Sequence, residues 1–159
     1  MSGGSTNAAS ESLEVATKLC IEFEGFSATP YICPAGYPSL GFGTVFKPDG
    51  TKVTMQDTSI SDATALEWLS STLETTYLIG VLKASPGLIA HPEKLGALTD
   101  FAYNLGVSRY RASTLRKRVD AQDWEGAAKE LVKWNRGGGK VLPGLVRRRE
   151  AERKFFVLP

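Results

Sequence analysis

The chain has 159 residues, a length that fits one domain or two small lobes, and 42% of them are apolar and 23% charged, as in ordinary globular proteins. No apolar run approaches the ~20 residues of a membrane span, and residues 1–5 lack the basic and apolar regions of a signal peptide. Two cysteines are too few for a disulfide scaffold. We predict that residues 1–9 are a flexible leader, native or left by cloning, and that residues 10–159 form a single domain.

The net charge of +2 conceals a strong asymmetry along the chain. Residues 1–105 carry 5 Lys or Arg and 11 Asp or Glu, whereas residues 106–159 carry 14 and 6, which gives the C-terminal third a charge of +8. A segment this basic should attract a polyanion. Charge alone does not distinguish nucleic acid, anionic lipid and anionic cell wall.

The first predicted helix covers residues 10–25, because apolar side chains recur there at helical spacing and Gly25 supplies a stop. Pro30 and the turn-rich residues that follow it break the helical period. Short segments with strand character come next and predict a small antiparallel sheet. These segments are residues 31–33, 39–45 and 52–54, with a turn at 48–50.

The helical period returns at Ser61, the predicted N-cap of a long helix whose apolar stripe reaches Tyr77. More helices are predicted at residues 92–104, after the caps Ser113 and Asp123, and at 143–156, with a loop at 136–140. A helix, then a small sheet, then about five helices is the order of an α+β fold with segregated helices.

Glu24 is the first candidate for a chemical role. It lies in the last turn of the first predicted helix, where backbone carbonyls carry partial negative charge. A carboxylate is disfavoured there, so the protonated form that a general acid needs is favoured. A solvated surface position is the simpler alternative, and helix geometry does not separate Glu24 from Glu22. The residues around Glu24 are therefore needed to distinguish a catalytic position from a solvated surface position.

The residues after Glu24 follow a fixed spacing. Gly25 comes directly after it, Cys33 follows eight intervening residues, Ser39 follows five more, and residues 40–43 then read Leu-Gly-Phe-Gly. This pattern resembles the active-site signature of the phage-type lysozymes, glycoside hydrolase family 24. Downstream motifs resemble the same family in the same order, and the resemblance covers about residues 13–156. Those motifs are Phe101–Gly106, Ser113–Leu115, Trp134-Asn135 and Pro143–Glu150.

The resemblance implies a two-lobed, lysozyme-like fold. In such a fold, residues 10–60 supply the N-terminal helix and a small antiparallel β lobe, and residues 61–159 supply a helical lobe. The helix that begins near Ser61 joins the two lobes. The glycan would lie in the cleft between them.

The resemblance also implies roles for individual residues. Glu24 takes the place of the proton donor to the glycosidic oxygen, Cys33 that of the second catalytic group, and Ser39 that of the hydroxyl that positions water. Three further residues fall where the family lines its sugar-binding cleft. These are Val45, Tyr103 and Thr114, although a core aromatic is an equally good interpretation of Tyr103.

Two residues depart from the commoner family pattern. Most members have Asp where Cys33 stands, although a Cys-bearing subset resembles this chain. A free thiol has a pKa of about 8.5 and is mostly protonated at neutral pH. The activity should therefore depend on a nearby cation that favours the thiolate, or on an alkaline optimum. Serine at position 39 keeps the hydroxyl of the usual threonine but loses the methyl group that restricts χ1.

These residues favour an inverting reaction. Inversion needs an acid on one side of the glycosidic bond and a base-activated water on the other, and a water-orienting hydroxyl beside Cys33 fits that need. A retaining path through a thioglycosyl intermediate on Cys33 remains open. Cys20 lies on the apolar helix face and is most simply a core residue, but a Cys20–Cys33 disulfide is an alternative that would block the catalytic thiol.

No cofactor or metal is implied. His91 is the only histidine, precedes Pro92 and has no companion ligand. The run Gly137–Lys140 lacks the spacing of a phosphate-binding loop.

The predicted function is that of a monomeric endolysin which hydrolyses the β-1,4 bond between N-acetylmuramic acid and N-acetylglucosamine in peptidoglycan. The basic C-terminal third would hold it on the anionic wall. We expect it to be made in the host bacterial cytoplasm without a signal peptide and to act on the wall in the periplasm. Two alternatives remain. One is a lytic transglycosylase built on a single glutamate, and the other is a protein without enzymatic activity that binds nucleic acid or another polyanion through Arg116–Arg118, Arg147–Arg149 and Arg153-Lys154.

Overall fold

The computed structural model describes residues 3–157. Met1 and Ser2 of the predicted leader lie outside the described residues, as do Leu158 and Pro159. The helices are α1 (Gly3–Glu24), α2 (Asp62–Thr72), α3 (Ile79–Ala84), α4 (Pro92–Leu105), α5 (Val107–Ala112), α6 (Thr114–Asp120), α7 (Trp124–Leu131) and α8 (Pro143–Val157). The strands are β1 (Ser27–Ile32), β2 (Pro38–Gly41), β3 (Arg136–Gly137) and β4 (Lys140–Val141). A π-helical segment (Leu73–Leu78) joins α2 to α3, and a 3₁₀ turn covers Pro86–Ala90.

Helix α1 is longer than the sequence predicted. It begins at Gly3, so residues 3–9, which were assigned to a flexible leader, are helical. Alanine has the highest helix propensity, and the buried Ala8 gives this extension an apolar contact with the rest of the molecule. At the other end Gly25 has a φ of 71°, a conformation that costs glycine little and ends the helix at Glu24.

The small sheet follows α1 directly, as predicted. Strands β1 and β2 are antiparallel, with Tyr31 opposite Ser39 and an irregularity between Ser27 and Tyr31. The turn between them is closed by the backbone N–H of Cys33, which donates to the Tyr37 carbonyl at 2.9 Å. The third predicted strand, residues 52–54, is present only as an isolated bridge between Phe46 and Lys52.

The predicted helix starts in the C-terminal part are confirmed by their caps. The side chains of Ser61, Ser113 and Asp123 accept from the backbone N–H groups of Thr64, Arg116 and Gly126, respectively. The predicted loop at residues 136–140 is instead a hairpin of β3 and β4. Its two central residues, Gly138 and Gly139, both have positive φ, as the tight two-residue hairpin turn requires. Helix α5 was not predicted.

Two clusters of buried apolar side chains hold these elements together. The larger lies among the C-terminal helices and α1 and includes Leu19, Leu98, Phe101, Tyr110, Leu115, Leu131 and Phe156. The smaller lies where α1 meets α2 and the loop after β2, and consists of Ala16, Cys20, Phe42, Ala65, Leu69 and Leu73. A mostly helical chain with a small antiparallel sheet has the α+β class that the sequence predicted. The division into lobes at residues 60 and 61 stays a prediction.

Candidate active site

A large cavity lies beside the C-terminal end of α1. It has a volume of about 1090 Å³ and is bounded by α1, the turn after β1, and α8. Glu24 and Cys33 both line it, together with Tyr31, Asn104 and Arg148. Two of the three predicted catalytic residues therefore share one cleft although they come from different elements.

Glu24 is the last residue of α1, and its side chain is 21% exposed. One of its carboxylate oxygens, Oε1, accepts from Nη1 of Arg148 at 3.0 Å. The other, Oε2, faces Gly43, and a Cβ atom built on Gly43 would lie 3.3 Å from it. The carboxyl group is therefore held by a cation on one side and by the backbone after β2 on the other.

Arg148 is itself fixed by a second carboxylate. Its Nε and Nη2 donate to the two oxygens of Asp100 at 2.9 Å and 2.7 Å, and the Asp100 side chain is fully buried. Burial alone would lower the pKa of Arg148, but the hydrogen bonds and negative charge of Asp100, with a further contribution from Glu24, raise it. The guanidinium group therefore remains a cation beside Glu24.

Cys33 follows β1 and begins the turn to β2. Burial would raise the pKa of its thiol, but hydrogen bonds from the Tyr37 backbone, the Ser39 hydroxyl and the backbone N–H groups of Ala35 and Gly36 together lower it. Donors of this kind stabilise an anion, so the turn favours the thiolate. The sequence predicted either a nearby cation or an alkaline optimum; the hydrogen bonds of this turn, instead of a cation, lower the pKa of the thiol, and the alkaline optimum stays a prediction.

Ser39 lies near Cys33 but is not among the residues that line the cavity. It is only 1% exposed, and its hydroxyl donates to the Tyr37 carbonyl at 3.2 Å. The same hydroxyl contributes to the lowering of the pKa of the Cys33 thiol.

The three predicted sugar-binding residues are not gathered in this cavity. The hydroxyl of Tyr103 donates to the Phe42 carbonyl at 2.6 Å, so this side chain ties α4 to the loop that follows β2. Burial, followed by the charge of Glu24, raises the pKa of Tyr103, and the phenol stays neutral. Val45 lines a separate groove of about 360 Å³ on the sheet side. Thr114 is exposed at the start of α6.

Asp100 and Arg148 are the residues behind Glu24 that the sequence did not single out as part of the site. Arg148 and Arg149 were counted as part of a surface that binds polyanions, but they are only 3% and 0% exposed. Arg149 instead pairs with Glu152 at 2.7 Å inside the protein. The available signal was that Asp100 lies within the most apolar stretch of α4, where an unpaired carboxylate is disfavoured.

The two cysteines form no disulfide, and the single histidine of the sequence packs against an aromatic ring. Both cysteines are free, and the buried Cys20 thiol donates to Asp100 at 3.1 Å. His91 packs against Trp124 with ring centroids 4.8 Å apart. Residues 3–157 contain no group of three or more His, Cys, Asp or Glu side chains that could hold a metal ion. Over the same range, none of the helices has both the length and the apolar character needed to cross a membrane.

Comparison with known proteins identifies the family. The phage lysozyme family model matches residues 21–152. The chain is 31% identical over 140 residues to the SAR-endolysin of Escherichia phage Mu, covering 87% of this chain and 77% of that protein. It is 49% identical over 61 residues to the endolysin of Bacillus phage B103, a match that spans 38% of this chain but only 23% of that protein.

A solved structure with similar architecture supports the same assignment. The endolysin of Escherichia coli O157:H7 phage FAHEc1 superposes with a TM-score of 0.75 at 28% identity, covering 92% of this chain and 90% of that one. The similarity therefore extends over nearly the whole fold. The chain belongs to the phage lysozyme family of glycoside hydrolases.

Proposed function

We propose that this protein hydrolyses the β-1,4 bond between N-acetylmuramic acid and N-acetylglucosamine in bacterial peptidoglycan, with Glu24 as the general acid. The observation that carries the proposal is the cleft that Glu24 and Cys33 both line. Membership in the phage lysozyme family supports the choice of substrate. The proposed place of action is the bacterial cell wall.

In this proposal Glu24 gives its proton to the glycosidic oxygen as the bond from that oxygen to the anomeric carbon breaks. The Glu24 carboxylate that remains then accepts a hydrogen bond from Arg148 at 3.0 Å, which stabilises the charge formed in the step. The partial burial of Glu24 keeps bulk water from competing for the proton. The same contact fixes the direction in which the carboxyl group points.

Cys33 is the proposed base. Its thiolate takes a proton from a water molecule, whose oxygen attacks the anomeric carbon from the face opposite to the leaving group, so the configuration is inverted. The lowered pKa of Cys33 supports this role, because a larger fraction of the thiol is ionised than in a free cysteine. The family resemblance implied that Ser39 positions the attacking water, but Ser39 is buried and does not line the cleft, so we assign its hydroxyl to support the thiolate of Cys33 instead. A retaining reaction would instead form a carbon–sulfur bond at Cys33.

The proposed attachment to the wall uses exposed cations of the C-terminal third. Burial of Arg148 and Arg149 removes two charges from that surface. Within residues 106–157, the exposed cations that make no salt bridge are Arg109, Arg111, Lys117, Arg136, Lys140, Arg147 and Lys154. These side chains supply the positive surface in the proposal.

The test of the general acid is the variant Glu24→Gln, which keeps the shape of the side chain and removes the transferable proton. We expect the rate of lysis of outer-membrane-permeabilised bacteria to fall by about 10²–10⁴-fold, the usual contribution of a general acid. Glu22→Gln is the matched control, because Glu22 lines the same cavity two residues earlier on α1 and is exposed. It should keep the parent rate.

Mass analysis of the reducing ends completes this test. Hydrolysis leaves a reducing sugar, whereas a lytic transglycosylase leaves an anhydro sugar that is lighter by one water molecule. Lysis by the Gln variant within a few-fold of the parent, or anhydro ends in the parent's products, would contradict the proposal.

A further inference from the structure

The Asp100 carboxylate lies behind the proposed acid and is not exposed to the cleft. It is fully buried on α4, and three donors reach it: Nε and Nη2 of Arg148 at 2.9 Å and 2.7 Å, and the Cys20 thiol at 3.1 Å. Arg148 then uses its remaining guanidinium nitrogen, Nη1, for Glu24. One guanidinium group therefore joins two carboxyl groups that differ in burial and in role.

We propose that Asp100 is a positioning residue that neutralises Arg148, so that Glu24 is free to hold the proton it donates. This inference rests on the proposed role of Glu24 as the general acid. Asp100 touches neither the glycan nor the reacting atoms in this scheme. It acts on the reaction only through Arg148.

The burial of Arg148 makes this residue dependent on a negatively charged partner. A guanidinium group that is 4% exposed needs a negative partner, because an unpaired buried cation is strongly destabilising. With Asp100 present, that partner is permanent, and Glu24 can be neutral or charged without leaving Arg148 unpaired. Without Asp100, Glu24 would be the carboxyl group that remains hydrogen-bonded to Arg148, and Arg148 would oppose its protonation. A glutamate held as the anion has no proton to donate.

Other ionisable groups surround Glu24 and Asp100, and none replaces Asp100 as the bidentate partner of Arg148. Glu152 is buried beside Asp100: burial, and then the neighbouring Asp100, raise the pKa of its carboxyl against the opposing effect of Arg149, with which it pairs at 2.7 Å. Tyr103 stays neutral for the reason given above. The remaining titratable or charged side chains near Glu24 are Cys20 and Glu22 on α1, Tyr31 and Cys33 on the sheet side, Tyr77 in the π-helical segment, and Arg147, Glu150 and Lys154 on α8.

The expected shift of the pH dependence of kcat has a definite direction. A general acid works while it is protonated, so the rate falls as the pH rises through the loss of that proton. Asp100→Asn keeps the shape and removes the negative charge, and Arg148 then attracts the Glu24 carboxylate more strongly. Opposite charges within about 6 Å shift such equilibria by roughly 1–3 pH units. We expect the alkaline limb of kcat to move about 1 unit to lower pH, with most of the activity kept on the acidic side.

The experiment compares pH profiles of kcat on soluble peptidoglycan fragments for the parent and Asp100→Asn. Arg148→Gln should move the limb the other way, because it removes the cation and leaves Asp100, and the double variant should return it close to the parent. Asp123→Asn is the control, since it also removes a hydrogen-bonded carboxylate, but at the start of α7. Its limb should match that of the parent.

A titration of the Glu24 carboxyl group by ¹³C NMR separates this proposal from the assignment of the acid. In folded Asp100→Asn that titration should move to lower pH whether or not Glu24 is catalytic. An unmoved titration would overturn the role of Asp100, whereas a moved titration with an unmoved kcat limb would overturn Glu24 as the acid. If Asp100→Asn does not fold, Arg148→Gln carries the test, and an unchanged Glu24 titration in that variant would overturn the proposal equally.

Discussion

The contact between α1 and α4 depends on one residue without a side chain. A Cβ atom at Gly96 would lie 2.6 Å from the backbone oxygen of Ser12 and 2.6 Å from the Val15 Cβ. Both neighbours lie on α1, and the Ser12 oxygen belongs to the helix backbone and cannot rotate away. The substitution Gly96→Ala should therefore push α1 and α4 apart rather than be absorbed by a flexible side chain.

The size of the effect follows from two opposing contributions. Overpacking of a close-packed interface costs roughly 1–3 kcal/mol, and the upper part of that range applies because backbone must move. Alanine gains about 0.5–1 kcal/mol over glycine within a helix. We expect the free energy of unfolding to fall by about 2 kcal/mol in total. For a chain of this size that corresponds to a decrease in Tm of about 4–8 °C.

Thermal and urea unfolding followed by circular dichroism would measure the change, with Gly144→Ala as the matched control. Gly144 is also helical, and the nearest atom to a Cβ built there is Nη2 of Arg147 at 3.9 Å. Relief of glycine's conformational freedom should stabilise that variant by about 0.4–1 kcal/mol. If Gly96→Ala proves as stable as Gly144→Ala, close packing of α1 on α4 is not what fixes their separation.

Two further outcomes test the base and the basic surface. Cys33→Ser should lose most of the lytic activity, whereas Cys33→Asp should remain active, resist thiol alkylation and keep its rate to lower pH, because a carboxylate stays charged where a thiol is protonated. Mass spectrometry of the alkylated parent should find the label on Cys33 and not on the buried Cys20. Full activity of that alkylated parent would refute the role of Cys33. The rate of cell lysis should fall as added salt shortens the Debye length to ~8 Å near 0.15 M. Cleavage of short soluble glycan fragments should change much less. Equal salt dependence on both substrates would refute wall attachment through charge.

The elements that sequence predicted well are those set by local chemistry. The helix cap at Ser61 and the stop at Gly25 depend on side-chain and backbone preferences within a few residues, and both are where they were expected. The acid candidate followed from the same local information, because Glu24 is the last residue before that stop. The prediction that Cys33 shares the site with Glu24 came from the spacing of a family motif rather than from local helix and turn preferences.

The buried charges could not be predicted in the same way. Arg148 is 48 residues from Asp100 and 124 from Glu24 along the chain, so no window of sequence contains the pair. In the sequence, Arg147, Arg148 and Arg149 are three equivalent cations. Only the rotation of α8 against α4 decides that the second and third point inward while Arg147 stays exposed. Charge counted along a sequence therefore overestimates the surface available to a polyanion.

The proposed acid and the apolar core depend on the same three helices. Helix α1 places Leu19 in the core and Glu24 in the cleft, α4 places Leu98 and Asp100, and α8 carries Arg148 only two turns before Phe156. Taking the charges of Arg148 and Asp100 out of water is unfavourable, and their mutual attraction does not fully offset that loss. The apolar contacts of these helices must therefore supply the stability that holds Arg148 between two carboxyl groups. Loosening of the α1–α4 contact should then disturb the acid before the protein unfolds.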